Sequence, residues 1–225
     1  MSNYHKLYTP QDSAVVFIDY QPQMIFGVAN MDRAVLLNNV TLLAKCAKEF
    51  NVPTVLTAVE SEGFSGYVVP QLLDVFPGEP IVERSSMNSW DDAGFRKAIE
   101  ATGRKNILMT GLWTEVCITW PTLEMIGAGY NIYVVEDCCG ATSPAAQEAA
   151  LSRMVQAGAV RLTTIAALLE WQRDWARKEH YDALMKLLRP QAGAYGVGVE
   201  YAYTMVHHAP QTAQKPQVVP KKAAH

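Results

Sequence analysis

The sequence has no excess of positive charge, few cysteines and no long apolar run. Its 225 residues hold 19 lysines and arginines against 22 aspartates and glutamates, a formal net charge of -3. Without a basic field, we expect no binding to nucleic acid or to an anionic membrane surface. Four cysteines are too few for a disulfide framework, and no stretch reaches the ~18 apolar residues of a membrane span. These absences predict a cytoplasmic protein.

Motifs for nucleotide cofactors and metal sites are also missing. No G-x-G-x-x-G follows the first apolar run and no Walker A motif occurs, so nucleotide cofactors lack support. The zinc spacings H-E-x-x-H and C-x-x-C are absent, and no Cys–His dyad or serine triad is readable. We therefore expect a small-molecule substrate handled with no cofactor and no metal.

Apolar residues make up 49% of the chain, enough for a large core, and short apolar runs alternate with helix-period segments. The predicted strands are 14–18, 52–59, 81–82, 106–110, 131–136 and 160–164. The predicted helices are 33–50, 70–76, 91–102, 114–128, 144–157 and 165–188. This alternation predicts an α/β fold: a three-layer α/β/α sandwich around a six-stranded, mostly parallel sheet. We place this domain at residues 1–189.

The segment 190–225 differs in composition, with clustered glycine and alanine, a late proline- and lysine-rich run and three tyrosines. It cannot build a core of its own. We expect a tail that is disordered or packed on a neighbouring subunit, where the tyrosines would supply contact area.

Ligands of an open parallel sheet bind beyond the carboxyl ends of its strands, where strand order reverses. Asp19 follows the first predicted strand, Glu60 and Glu62 the second, and Arg84 the third. Cys117 falls near the first turn of the helix after the fourth. Asp19, Arg84 and Cys117 are thus the catalytic candidates; the two glutamates are also explained as solvated loop charges, with Glu60 kept as a pocket candidate.

The position of Cys117 favours a reactive sulfur. Unpaired N–H groups and the helix dipole favour a thiolate, Arg84 would act in the same direction, and the same N–H groups could hold an oxyanion. The alternative is a small buried apolar residue, the usual state of a free cysteine. Cys138 and Cys139, also placed at a strand end, are the rival nucleophiles, whereas Cys46 on a helix stripe is expected in the core.

Aromatic residues cluster in sequence around this rim. They are expected either to wall a small apolar pocket or simply to pack in the core. The pocket candidates are Phe26, Trp90, Trp113 and Trp120.

With these residues placed, the sequence resembles the isochorismatase-like cysteine hydrolases, close to their YcaC-type branch, over about residues 9–177. The resemblance rests on three segments: Phe17-Ile18-Asp19-Tyr20-Gln21, Arg84-Ser85-Ser86-Met87-Asn88-Ser89-Trp90 and Gly111-Leu112-Trp113-Thr114-Glu115-Val116-Cys117-Ile118. It implies an Asp–Lys–Cys triad that falls on Asp19, Arg84 and Cys117. The arginine is a departure: it can hold an anion but cannot act as a general acid, so Asp19 would carry all proton transfer.

The resemblance also implies a non-proline cis peptide, which by analogy falls at Trp113-Thr114, and a homo-oligomer, with the octamer associated with YcaC-type proteins. The metal-binding Asp-x-His pattern of the family's nicotinamidases is absent near the site. The resemblance and the three candidate residues together lead to the hypothesis of a hydrolase that cleaves a small amide, carbamoyl or ureido C–N bond through a thioester on Cys117. The N–H groups of Val116 and Cys117 would hold the oxyanion. Two alternatives stay open: a non-catalytic oligomeric binding or scaffold protein, and an ether hydrolase of the isochorismatase type.

Overall fold

A computed structural model describes residues 6–206 and shows one parallel sheet with helices on both sides. The strand order is β3-β2-β1-β4-β5-β6, and every neighbouring pair is parallel. The strands are β1 (Ser13–Ile18), β2 (Thr54–Val59), β3 (Ile81–Arg84), β4 (Asn106–Leu112), β5 (Asn131–Gly140) and β6 (Val160–Leu162). The predicted fold class is therefore confirmed, and strand order reverses between β1 and β4.

The helices connect successive strands and cover the sheet. They are α1 (Pro22–Phe26), α2 (Arg33–Glu49), α3 (Pro70–Leu73), α4 (Ala93–Ala101), α5 (Thr119–Gly127), α6 (Pro144–Ala157), α7 (Thr164–Gln172), α8 (Tyr181–Gln191) and α9 (Gly193–Tyr201). Side chains cap several of them: the Ser143 hydroxyl accepts from the Ala146 N–H ahead of Pro144. Within residues 6–206 no helix is both long and apolar enough to cross a bilayer.

The core lies along the two central strands. All six residues of β1 are buried, as are six of the seven residues of β4. A central parallel strand has helices on both faces, so both sets of alternating side chains must be apolar. This is why residues 14–18 of β1 form a continuous apolar run that ends at Asp19.

The predicted domain boundary at Pro190 falls inside α8, so the helical body extends further than expected. Asn38 of α2 donates to the Gln191 carbonyl at 2.7 Å, and Lys45 donates to the Gln191 side chain at 3.0 Å. Residues 193–206 are helical, and Tyr195 packs partly buried against the core, because their apolar side chains find partners on this chain. The remaining tail, 207–225, lies outside the described residues.

A glycine in β4 sets the spacing between the central strands. Gly111 has a φ of 147°, and a Cβ there would lie 2.3 Å from the Ile18 carbonyl oxygen. We expect Gly111→Ala to lower the free energy of unfolding by about 3 kcal/mol, because both the backbone angle and the contact oppose a side chain. Urea unfolding would measure the change.

Gly127, at the end of α5, is the matched control, since a Cβ there meets no described atom within 4 Å. Gly127→Ala is expected to leave stability unchanged or raise it by about 0.5–1 kcal/mol. A Gly111→Ala protein as stable as Gly127→Ala would contradict the close approach of β1 and β4.

Candidate active site

Asp19, Arg84 and Cys117 converge at the carboxyl ends of β1, β3 and β4. Arg84 Nη2 donates to both carboxylate oxygens of Asp19, at 2.6 and 2.7 Å, and both side chains are 0% exposed. The Cys117 thiol lies close enough to the same carboxylate for the Asp19 charge to raise its pKa. Three residues separated by up to 98 positions thus form one contact group at the switch point.

The backbone at Asp19 is bent so that its side chain turns into the site. Its φ is 58°, in the left-handed region that L-residues rarely adopt, at a strain of roughly 1–3 kcal/mol. The Asp19 N–H donates to the Thr57 carbonyl at 3.1 Å, which fixes the bend to β2. Gln21 adds a second tie to the same strand, since its side-chain amide donates to the Val59 carbonyl and accepts from the Val59 N–H, each at 3.0 Å.

The loop after β3 surrounds the guanidinium of Arg84. Arg84 Nη1 donates to the carbonyl oxygens of Ser86 and Met87, while its backbone carbonyl accepts from the Glu60 N–H at 3.0 Å. These contacts hold the side chain extended toward Asp19. Its Nε is buried and has no hydrogen-bond partner among the described residues.

Cys117 lies in a π-helical turn, Thr114–Ile118, that joins β4 to α5. The cis peptide precedes this turn at Leu112-Trp113, one bond before the position expected by analogy. The Trp113 indole is fixed by a 2.7 Å hydrogen bond to the Met24 carbonyl. The Val116 N–H donates to the Trp113 carbonyl at 3.0 Å, because the chain closes a tight turn there, so the predicted oxyanion role of Val116 has a competing partner.

The ionisation of Asp19 and Cys117 differs from what the sequence predicts. Burial raises the pKa of Asp19 to about 6, with Arg84 and the Cys117 hydrogen bond opposing that rise. Burial, followed by the Asp19 charge and hydrogen bond, raises the pKa of Cys117 to about 12. The Arg84 charge and a hydrogen bond with the Trp113 backbone lower the pKa of Cys117, but by less than burial and Asp19 raise it. The expectation of a resting thiolate is therefore wrong, because desolvation and the neighbouring carboxylate outweigh the positive charge.

The other aromatic residues predicted to line the pocket lie in different parts of the fold. The Trp90 ring contacts Phe95 and Tyr130, and Tyr130 lies just before β5, at the amino edge of the sheet. Phe26 is 67% exposed at the end of α1, and Trp120 is half-buried in α5. None of these contacts joins the aromatic side chains to the three catalytic candidates.

The rival cysteines are buried away from solvent. Cys138 and Cys139 lie within β5 rather than beyond it and are 0% exposed, as is Cys46 in α2. Burial raises the pKa of all three thiols above the ordinary value. Among the cysteines of residues 6–206, Cys117 is the one beside the carboxylate that Arg84 holds, which makes it the candidate nucleophile.

A cavity of about 670 Å³ borders the site at the carboxyl ends of β2 and β3. Glu60, the one predicted pocket residue that lines it, does so together with Arg84. The other walls of the cavity come from the loop after β2, from α3, and from β3 with the residue that follows it. In the sequence, Glu60 and Glu62 directly after a buried strand are the feature that indicates this cavity.

Glu115 was also missed as a site residue. Its carboxylate accepts from the Thr142 N–H at 3.1 Å and hydroxyl at 2.5 Å, which ties the Cys117 turn to the loop after β5.

For residues 6–206, no group of three or more His, Cys, Asp or Glu side chains is arranged to hold a metal ion.

Comparison with known proteins identifies the family. The Isochorismatase domain model matches residues 13–166. The chain belongs to the isochorismatase family of hydrolases, in its YcaC-type branch. Probable hydrolase YcaC of Escherichia coli K12 is 37% identical over 165 residues, 73% of this chain and 79% of the relative. The family resemblance stated from the sequence is confirmed.

Solved structures agree with this placement. YcaC from Pseudomonas aeruginosa, described with hexane-2,5-diol and covalent acrylamide, has a TM-score of 0.83 at 34% identity, covering 87% of this chain and 96% of that one. The E. coli YcaC gene product, described as an octameric hydrolase of unknown specificity, has a TM-score of 0.82 at 33% identity, covering 88% and 96%. A cysteine hydrolase from Pseudomonas syringae, at 14% identity and a TM-score of 0.66 over 75% and 96%, shares the fold.

Proposed function

We propose that this protein is a cysteine-dependent hydrolase of a small C–N bond, of amide, carbamoyl or ureido type, acting through a thioester on Cys117. The observation that carries the proposal is the bidentate pair of Arg84 with the Asp19 carboxylate, next to which the Cys117 thiol lies. A nucleophile, its base and an orienting group are the parts that acyl transfer needs. The covalent acrylamide described for the P. aeruginosa relative supports a reactive nucleophile in this branch.

Acylation begins from a neutral thiol and an ionised Asp19. Asp19 accepts the thiol proton as the sulfur attacks the substrate carbonyl, so a free thiolate is never required at rest. The negative charge passes to the carbonyl oxygen, where the Cys117 N–H is the proposed donor. Asp19 then returns the proton to the nitrogen, the C–N bond breaks, and an amine leaves as the thioester forms.

Deacylation uses the same carboxylate. Water enters in place of the amine and gives its proton to Asp19 as its oxygen attacks the thioester. The C–S bond then breaks, the sulfur recovers the proton from Asp19, and the acid product leaves. Arg84 stays protonated throughout, because a guanidinium does not deprotonate at working pH. Its part is to orient the carboxylate and keep the pKa of Asp19 from rising further.

A substrate panel tests the proposal. Small amides, ureides and carbamates are incubated with the protein and released ammonia or amine is measured. Turnover of at least one compound, with a thioester trapped on Cys117 by acid quench and mass spectrometry, is the expected result. If no compound turns over and Cys117 reacts like an ordinary exposed cysteine, the non-catalytic scaffold is favoured. Vinyl-ether cleavage that persists without Cys117 would favour the ether hydrolase.

The rate of Cys117 alkylation is expected to follow the ionisation of Asp19. Below a pH of about 6 the carboxylate is protonated and cannot accept the thiol proton, so the rate falls about tenfold per pH unit; above it the rate levels off. Intact mass spectrometry after timed exposure to acrylamide, from pH 4.5 to 9, measures the profile. A rise centred near the pKa of about 8.5 of a free cysteine would contradict the coupled pair.

We also propose that the chain assembles as a homo-oligomer in the cytoplasm. The octamer described for the E. coli relative supports an octameric assembly. The exposed apolar side chains of α9 and the turn after it, Val197, Tyr201 and Val206, add unpartnered area that a neighbouring subunit would cover. In this proposal the tail from Pro190 contributes through its helical part.

A further inference from the structure

The loop after β3, residues 85–88, supplies backbone acceptors that hold Arg84. Arg84 Nη1 donates to the carbonyl oxygens of Ser86 and Met87. Of the side chains in this loop, only that of Asn88 is buried, so apolar packing does little to fix the loop. The position of the two carbonyls, and with it the orientation of the guanidinium, therefore depends on how the end of the loop is held.

Asn88 holds that end through three hydrogen bonds. Its side-chain oxygen accepts from the Trp90 N–H at 3.1 Å, and its carbonyl accepts from the Asp91 N–H at 3.1 Å, which closes the short turn that follows. Its side-chain N–H group donates to Glu124 Oε2 of α5 at 3.1 Å. Asn88 is 6% exposed, so without Glu124 a buried donor would be left unsatisfied.

The hydrogen bond to Glu124 joins two elements that carry catalytic candidates. Glu124 lies about two turns beyond Cys117 on the helical segment that begins at the Cys117 turn. Within residues 6–206, this is the one hydrogen bond that connects the loop 85–88 to α5. It therefore sets the position of the loop around Arg84 relative to the nucleophile.

We infer that Asn88 is a positioning residue of the site: its hydrogen bond to α5 holds the loop whose carbonyls orient Arg84 toward Asp19. The inference rests on the proposed function, in which Asp19 is the base for Cys117. Arg84 lowers the pKa of Asp19. A guanidinium that is held less firmly lowers this pKa less, so that Asp19 loses its proton at a higher pH.

The pH profile of Cys117 alkylation by acrylamide tests the inference in two variants that remove the Glu124 charge equally. Glu124→Gln keeps an oxygen that accepts from Asn88, whereas Glu124→Met has a similar length and only a weak sulfur acceptor. We expect Glu124→Gln to keep the midpoint near a pH of about 6 and Glu124→Met to raise it by about 0.5–1 pH unit. The rate at the original midpoint then falls about two- to fivefold, while the plateau at high pH is unchanged because Asp19 is fully ionised there.

A variant in the loop removes the same hydrogen bond from the other side. Asn88→Ser keeps an oxygen that can accept from the Trp90 N–H, but its side chain is too short to reach Glu124. It is expected to raise the midpoint as much as Glu124→Met does. The double variant should raise it no further, because both substitutions remove one and the same interaction.

The midpoint reports the position of Arg84 because the substitutions leave the other influences on Asp19 in place. The charged and titratable groups that shift the pKa of Asp19 are Arg84, Cys117 and Glu83. None of them is replaced in these variants. A general loosening of the site would instead change the plateau rate, as Cys117 became more accessible to the reagent.

The outcomes separate the two proposals. A midpoint that is unmoved or lowered in Glu124→Met and Asn88→Ser, an equal shift in Glu124→Gln and Glu124→Met, or a double variant whose shift is the sum of the two would overturn the positioning role and leave the coupled pair intact. A profile of the unmodified protein that rises near the ordinary cysteine pKa of about 8.5 would overturn the proposed function and the positioning role with it. If Asn88→Ser does not fold, the two Glu124 variants decide the question, since that side chain is exposed.

Discussion

Replacing Cys117 with alanine is expected to lower the rate of hydrolysis by at least about 10⁴-fold. The carboxylate of Asp19 remains, but the only sulfur in contact with it among the described residues is gone, so no thioester can form. Removal of a covalent nucleophile typically abolishes nearly all of the rate enhancement of such a site. Initial rates of ammonia or amine release from the compound turned over by the unmodified protein measure the loss.

Cys46→Ala is the matched control, since it removes the same thiol from a fully buried position in α2. It is expected to leave kcat unchanged while lowering stability slightly through the small cavity it creates. Acrylamide should add one adduct to the unmodified protein and to Cys46→Ala, and none to Cys117→Ala. An adduct that persists in Cys117→Ala and maps to Cys138 or Cys139 would move the nucleophile into β5 and refute the assignment.

The sheet could be predicted because burial on both faces leaves a pattern along the chain. The run at 14–18 is apolar without interruption because every residue of β1 is covered. The extension of β5 to Gly140 left no comparable pattern, since the half-buried Glu136 and Asp137 interrupt the apolar run before the buried end of the strand. The helical state of 193–206 was missed for another reason. Its glycines disfavour a helix locally, and only contacts with α8 reveal why it forms.

The catalytic candidates were predictable from position and the rest of the site was not. Asp19, Arg84 and Cys117 each follow a strand whose end could be located, and parallel strands bring their carboxyl ends to one edge. The protonation state of Cys117 depends on how much water surrounds it, which no sequence spacing records. The aromatic pocket stays a prediction: Trp90 contacts Tyr130, and the walls of the cavity near Arg84 come partly from a loop without a periodic pattern.

Replacing Arg84 with methionine is expected to lower the free energy of unfolding by about 3–5 kcal/mol near pH 8. The pair is fully buried, so the substitution leaves the Asp19 carboxylate inside the protein without its counter-charge. Arg84 lowers the pKa of Asp19, so without it that pKa rises above about 6. The folded variant then holds a proton that the unfolded chain, with an ordinary aspartate, has lost, and its stability falls as pH rises through the folded pKa. The deficit relative to the unmodified protein should therefore be smaller at pH 5 than at pH 8, as measured by urea unfolding.

Adding Asp19→Asn to Arg84→Met separates the charge effect from the loss of packing. Asparagine keeps the shape of Asp19 without its charge, so the double variant lacks the unpaired carboxylate and should be more stable than Arg84→Met alone at pH 8. Its stability should also depend little on pH between 5 and 8, because the titrating group is gone. If the losses in free energy of unfolding from the two substitutions instead add, the double variant would be the least stable. Arg84 and Asp19 would then not stabilise each other as their geometry indicates. The hydrolytic mechanism would then lose the arginine that orients its base.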